Sequence, residues 1–152
     1  MKFRQLSIEE LEGFKEEFVQ FLIVQGIDAD EWQRIKGDEP LRAVKMVGDF
    51  SDFIFSSIVA KVKYIEYFEP ISLKLFKCEP ETIHLMNIST QEAIQDLSTF
   101  LKKLADIPEN FEIQRVSKNY YPDRDTEIFR MINGGGLVSD GKIYESLSDL
   151  ID

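Results

Sequence analysis

Two aspartates three residues apart are the first candidates for chemistry in this chain. Asp49 and Asp52 lie in a segment whose apolar spacing predicts a helix, so both carboxylates would project from one face. Such a pair can work as a general acid and base, or hold a cation through oxygen ligands. The sequence supplies no further ligand at a matching spacing, and the polar edge of a solvated helix explains the same pattern.

The chain has one His and one Cys, which limits the catalytic sites that it can form. His84 alternates with apolar neighbours in a predicted strand and is a candidate base or ligand, although a lone His is more often structural. Cys78 has no partner in the sequence that would lower its pKa, so we interpret it as a small buried hydrophobic residue. We therefore expect no disulfide, no metal site and no cofactor.

One segment matches a phosphate-binding motif in part. Residues 136–142 satisfy the pattern GxxxxGK, but Ile143 stands where such a loop has the Ser or Thr that binds Mg²⁺. The preceding residues 127–132 have helical spacing, whereas the motif requires a strand there. We interpret the segment as a junction between two helices, in which the glycines end one helix and Ser139 or Asp140 caps the next.

Aromatic residues beside predicted loops are the candidate binding residues. Trp32 and the adjacent Tyr120 and Tyr121 have this placement, and aromatic side chains are enriched at protein interfaces. Packing at the edge of the core is the alternative explanation for all three. No other group of residues is a better candidate for an interaction anchor.

The first part of the chain has three segments with helical spacing. A capping box at Ser7 and Glu10 begins the first helix, which we predict over about residues 8–25. A short second helix follows within about residues 28–37, and a third spans about residues 41–61. Their apolar stripes predict a shared core.

At residue 62 the apolar period changes from near 3.6 to near 2. Segments 62–68, 71–78 and 82–88 predict an antiparallel meander of three strands, and alternation over 111–117 can add a fourth. Between segments 82–88 and 111–117, one predicted helix has four apolar residues at helical spacing: Ile94, Leu97, Leu101 and Leu104. The break at Tyr120-Tyr121-Pro122 then predicts a carboxy-terminal helical hairpin, a docked appendage over residues 120–152.

The fold class predicted from these elements is α+β. It has an amino-terminal segment of three helices, a mostly antiparallel sheet of three or four strands with one helix packed on it, and a helical hairpin at the end. The length of 152 residues favours a single domain spanning residues 1–152.

The formal charge of −10 is spread over the whole chain. Residues 1–60 have 7 basic and 12 acidic side chains, and residues 61–152 have 11 and 16. Negative charge repels phosphate backbones, so we expect neither nucleic acid nor a membrane surface as a partner. No stretch reaches the roughly 20 apolar residues that span a bilayer. Together with the lone cysteine, this predicts a cytoplasmic location.

Four lysines in the predicted strands suggest an RNA-binding sheet as an alternative. Lys61, Lys63, Lys74 and Lys77 alternate with aromatic residues, as in sheets that bind RNA, but the motif of such sheets is absent. We interpret the lysines as protection of sheet edges against pairing with other chains.

Three segments together resemble a small protein family of unknown function that we associate with Bacteroidetes-type bacteria. They are residues 3–11 (FRQLSIEEL), 27–32 (IDADEW) and 139–144 (SDGKIY), and the resemblance extends over most of the chain. It implies a bacterial cytoplasmic protein and transfers no functional residue.

Three functions remain open from the sequence. The first is a non-catalytic interaction or adaptor domain that binds another protein or a second copy of itself. The second is an enzyme or small-ligand binder that uses carboxylates such as Asp49, Asp52 and Glu66 around a pocket between the helices and the sheet. The third is an acidic inhibitor or immunity-like protein, whose binding to a basic partner would weaken steeply with salt.

Overall fold

The computed structural model describes residues 2–151, and the chain divides into two compact units. The first unit comprises residues 1–60 and is helical, and the second comprises residues 61–152 and contains a sheet with three α-helices. The α+β class is confirmed. One domain spanning residues 1–152, with an appendage from residue 120, stays a prediction.

Within residues 2–60, the first unit contains four helices, where the sequence predicted three. They are α1 (Ile8–Gly13), α2 (Lys15–Val24), α3 (Ala29–Asp38) and α4 (Pro40–Ala60). The capping box of Ser7 and Glu10 is present. The predicted first helix is interrupted at Phe14, whose φ of −107° and ψ of 25° depart from helical values. Gly13, a poor helix former, directly precedes this break.

Aromatic rings form the centre of the first unit. The Phe50 ring is fully buried, and its centroid lies 5.0 Å from that of Phe18 and 5.4 Å from that of Phe21. Ser51, also buried, accepts the backbone N–H of Leu6 at 2.9 Å and donates to a carbonyl of its own helix. The helical spacing of phenylalanines therefore produces the core that the sequence predicts.

The second unit is built on a five-stranded antiparallel sheet. Its strands are β1 (Tyr64–Glu69), β2 (Ser72–Cys78), β3 (Thr82–Ser89), β4 (Glu112–Asn119) and β5 (Leu137–Ser139), in the order β4-β3-β2-β1-β5. The predicted meander and its fourth strand are confirmed. The lysine interpretation is wrong for Lys74 and Lys77, which lie on the central strand and form ion pairs with Glu69 and Glu145.

In the described part of the second unit, three α-helices accompany the sheet: α5 (Leu97–Asp106), α6 (Arg124–Asn133) and α7 (Lys142–Ile151). A short 3-10 helix (Pro108–Asn110) follows α5. The predicted helical hairpin is wrong, because β5 lies between α6 and α7 and pairs with β1. A strand of three residues is too short to show alternation in the sequence.

Helix α5 begins later than its sequence pattern predicts. Asp96 caps it by accepting the backbone N–H of Thr99 at 2.8 Å. The preceding Ile94 is held outside the helix, because its N–H donates to the Pro70 carbonyl at 2.7 Å. A tertiary hydrogen bond at the β1–β2 turn thus overrides the helical spacing of Ile94.

The two faces of the sheet carry different helices. Apolar residues of β2 and β3 form one core with α5 and α7: Leu73, Leu75, Met86, Ile88, Phe100, Leu104, Tyr144 and Leu147. On the opposite face, the Tyr67 hydroxyl donates to the Met131 carbonyl of α6 at 2.9 Å. Among residues 2–151, no helix is long and apolar enough to cross a membrane.

Candidate functional site

The two aspartates of the predicted pair have separate partners. Asp49 is exposed and forms an ion pair with Lys45 at 3.0 Å, one turn away on α4. Asp52 accepts the backbone N–H groups of Lys2 at 2.7 Å and Phe3 at 3.0 Å. Asp52 therefore fixes the segment before α1, and its carboxylate is engaged in a structural role.

His84 lies between two polar side chains in the sheet. It is the cross-strand partner of Ser117 in the register of β3 and β4. Its Nδ1 lies 2.6 Å from Ser117 Oγ, and its Nε2 lies 3.0 Å from Glu79 Oε2. The sequence identified His84 but not Ser117 or Glu79, because their proximity depends on strand register.

Tyr120 holds the backbone of Glu79. Its hydroxyl donates to the Glu79 carbonyl at 2.6 Å, and Arg124 Nε donates to the same oxygen at 3.3 Å. Burial raises the pKa of Tyr120 to about 12, so the phenol remains protonated as a donor near neutral pH. The structure thus joins Tyr120 and His84, two separate sequence candidates, through Glu79.

A second group of hydrogen-bonded polar side chains lies next to His84 on the same face of the sheet. Lys77, opposite His84 in β2, lies 2.8 Å from Glu145 of α7, and the Tyr64 hydroxyl donates to the same carboxylate at 2.7 Å. The hydrogen bond from Lys77 lowers the pKa of Glu145, and the bond to Glu145 raises the pKa of Lys77. Glu145 therefore stays ionised and attaches α7 to the sheet.

Cys78 is a free, buried thiol whose ionisation affects stability. Burial raises its pKa to about 11, from an ordinary value of 9.0. An unfolded thiol ionises near pH 9 and the folded one near pH 11, so the contribution to stability is complete below pH 9 and disappears as the pH rises to 11.

We expect the free energy of unfolding to fall by roughly 2–3 kcal/mol from this group between those pH values. Urea unfolding followed by far-UV circular dichroism across the alkaline range measures the fall. The Cys78→Ala variant should lose this part of the pH dependence, whereas the exposed Tyr121→Phe should retain it. Equal alkaline slopes in wild type and Cys78→Ala would contradict the prediction.

The remaining candidate aromatic residues differ in exposure. Trp32 is half-buried and meets the Phe18 ring edge-on at 5.2 Å. Tyr121 is 76% exposed, while its backbone N–H donates to Glu127 at 2.8 Å. Of the three predicted anchors, Tyr121 offers the most exposed ring.

An apolar surface on the first unit was not predicted. Helix α2 is apolar on both sides: Phe18 and Leu22 face the core, while Val19, Ile23 and Val24 are exposed. We call these three exposed side chains the α2 surface. Val24 is 81% exposed.

Phe53 of α4 is a further exposed aromatic side chain of the first unit. Its side chain is 57% exposed, and its ring centroid lies 6.5 Å from that of Phe21 on α2. The sequence contains one signal for the α2 surface: residues 18–24 have apolar side chains on more than one side of the helix.

A cleft of about 480 Å³ lies beside α5 in the second unit. Its lining combines charged, polar and apolar side chains: Thr90, Gln91, Glu92, Lys103, Ile107, Glu109, Asn110 and Phe111. Asp49, Asp52 and His84 do not line it. Glu66 is buried in β1, opposite Leu75, and is also outside it. Within residues 2–151, no cluster of three His, Cys, Asp or Glu side chains can hold a metal ion.

The glycines of the phosphate-loop match have packing roles. Strand β5 occupies positions 137–139, inside the segment that a phosphate loop needs as free backbone. A Cβ at Gly136 would lie 2.7 Å from Ile65, and one at Gly141 would lie 2.3 Å from the Tyr64 ring. The spacing of the two glycines therefore reflects their contact with β1.

Comparison with known proteins identifies a family for the whole chain. The model described as a family of unknown function (DUF6495) matches residues 1–152. The chain belongs to this family. The DUF6495 match confirms the predicted membership of a family of unknown function, and it assigns no activity. No curated protein and no solved structure matches the chain.

Proposed function

We propose that this DUF6495 chain is a protein-binding module, and that its contact with the partner, through the α2 surface, is non-catalytic. The observation that supports this is the apolar character of α2 on both sides. A helix at a protein surface normally has one apolar stripe, and a second exposed stripe is typical of a contact with another protein. Phe53, on α4 of the same unit, is an additional exposed aromatic side chain.

The charge beside the α2 surface indicates the chemistry of the partner. Five acidic residues lie just before it in the chain: Glu9, Glu10, Glu12, Glu16 and Glu17. Glu10 is engaged by Arg4, and the hydrogen bond from Arg4 lowers the pKa of Glu10 to about 2. We propose a partner with an apolar surface bordered by Lys and Arg side chains.

The alternatives from the sequence have less support. The cleft beside α5 contains two carboxylates, but none of the three carboxylates that the sequence proposed. An acidic inhibitor would bind mainly through charge, and its complex would be lost at high salt. An apolar contact at the α2 surface survives high salt. The cytoplasmic location remains our proposal, because it rests on the single free cysteine.

The test compares capture by three immobilised proteins: wild type, Ile23→Asp and Val116→Asp. We expect one stoichiometric partner from an extract of the source organism on wild type and on Val116→Asp, and its loss on Ile23→Asp. Val116 is a matched control, because it is equally apolar and exposed on the second unit. Calorimetric titration of the purified partner should give a negative heat-capacity change, as burial of apolar surface requires.

Several outcomes would contradict the proposal. Equal retention by all three proteins would remove the role of the α2 surface. Loss of the complex at high salt would favour the acidic-inhibitor function. Light scattering on the eluted wild type distinguishes a second copy of the chain from a different protein. A dimer that Ile23→Asp dissociates would assign the surface to self-association.

A further inference from the structure

Three side chains in the second unit are hydrogen-bonded in the order serine, histidine and carboxylate. This is the order of a nucleophile, its general base and the group that orients the base. Ser117 Oγ lies 2.6 Å from His84 Nδ1, and His84 Nε2 lies 3.0 Å from Glu79 Oε2. Both distances allow proton transfer. We propose that Ser117 is a nucleophile toward small activated acyl esters, with His84 as its general base. This inference does not depend on binding at the α2 surface.

The Glu79 carboxylate determines the tautomer of the His84 imidazole. An ionised Glu79 carboxylate only accepts hydrogen bonds, so His84 Nε2 must carry the hydrogen of that contact. In the neutral ring, Nδ1 then has a free lone pair, which accepts the Ser117 hydroxyl hydrogen. This is the state in which a histidine can take the proton of a serine.

The backbone holds the three side chains in place. His84 and Ser117 are direct neighbours in the register of β3 and β4, which lie within the sheet and at its edge. Glu79 lies in the turn before β3, and two donors hold its carbonyl, the Tyr120 hydroxyl and Arg124 Nε. Tyr120 and Glu79 are therefore positioning residues for the His84 ring.

Substrate can reach the serine from the edge of the sheet. Ser117 is exposed, the His84 side chain is 30% exposed, and no strand in the described part of the chain pairs with the outer side of β4. Two cationic residues occupy the same face by register: Arg115 beside Ser117, and Lys77 opposite His84. Arg115 donates to Ser148 Oγ at 3.0 Å and Lys77 pairs with Glu145 at 2.8 Å, so neither cation is assigned to the negative oxygen that forms when a carbonyl is attacked.

Hydrolysis of an acyl ester at Ser117 needs only the two side chains and water. Ser117 Oγ forms a bond to the acyl carbon as its proton passes to His84 Nδ1. The tetrahedral intermediate then breaks the bond to the leaving alcohol, which takes that proton. Water attacks the acyl-serine and gives a proton to His84, and collapse releases the carboxylic acid while the proton returns to Ser117.

Two probes test the inference on the full chain: a fluorophosphonate, which forms a stable adduct with an activated serine, and p-nitrophenyl acetate. We expect an adduct at Ser117 by peptide mass spectrometry and release of p-nitrophenol above the buffer rate. Ser117→Ala should abolish both signals. His84→Gln should slow adduct formation about 100-fold or more, the range for loss of a general base.

Matched controls separate activation from general reactivity. Ser57→Ala removes an exposed serine whose hydroxyl donates only to the Phe53 carbonyl of its own helix, and it should leave both signals unchanged. Glu79→Gln keeps the His84 ring and should lower kcat with KM unchanged. Absence of a Ser117 adduct in the wild type, or an adduct rate that His84→Gln leaves unchanged, would overturn the inference.

Discussion

Replacing Phe50 by alanine is expected to lower the free energy of unfolding of the helical unit by roughly 3–5 kcal/mol. The ring is fully buried, and its centroid lies within 5.4 Å of those of Phe18 and Phe21. Truncation removes the transfer free energy of the ring and leaves a cavity between helices α2 and α4, which side-chain relaxation fills only in part. No other substitution that we consider removes so large a buried group.

Trp32 makes this effect measurable in the first unit. It is the one tryptophan of the chain and packs against Phe18, so its fluorescence during urea unfolding follows this unit. Phe53→Ala is the matched control, because it removes the same side chain from the same helix at a position 57% exposed. We expect the control to cost under about 1 kcal/mol. Equal shifts for both variants would show that the Phe50 ring is not the centre of the core.

Gly141→Ala is expected to destabilise the second unit by roughly 2–5 kcal/mol. Two effects add at this residue. Its φ of 81° lies in the left-handed region that favours glycine. A Cβ there would also lie 2.3 Å from the Tyr64 ring. The ring cannot move freely, because its hydroxyl donates to Glu145 and its face packs near Tyr144.

The five tyrosines of the chain all lie in the second unit and Trp32 lies in the first, so near-UV circular dichroism in a Trp32→Phe background follows the second unit during urea unfolding. Gly37→Ala is the control: a Cβ at this position in α3 meets no atom within 4 Å. That substitution should be neutral, or stabilise the first unit by up to about 1 kcal/mol, because alanine is the better helix former. A Gly141→Ala variant as stable as wild type would show that the close approach of residue 141 to Tyr64 does not limit the stability of the second unit.

Local signals predicted much of the fold. The capping box at Ser7 and Glu10, the change of period at residue 62 and the meander of β1 to β3 all depend on neighbouring residues, and each is confirmed. Where the prediction failed, a contact from a distant residue decided the result. The N–H of Ile94 bonds to the Pro70 carbonyl and delays α5, and β5 pairs with β1 across about 70 residues of sequence.

The candidate sites show the same division. The scarcity of His and Cys already limited metal and disulfide chemistry, and His84 and Tyr120 stood out by residue type. Their connection through Glu79 depends on the register of β3 with β4 and on the position of the turn, which no local pattern encodes. Likewise, the side chains of α2 were visibly apolar, but only their exposure distinguishes a binding surface from a core.

The sequence by itself determined the α+β class, most helix and strand positions, the acidic charge and the absence of a disulfide within the chain, because these follow from composition and from neighbouring residues. The tertiary structure decided the fifth strand, the break at Phe14, the exposure of α2 and the alignment of Ser117 with His84. Those features depend on contacts between residues far apart in the chain. Such contacts form only when the sheet and the helices pack, because packing selects one register among several that the local sequence permits.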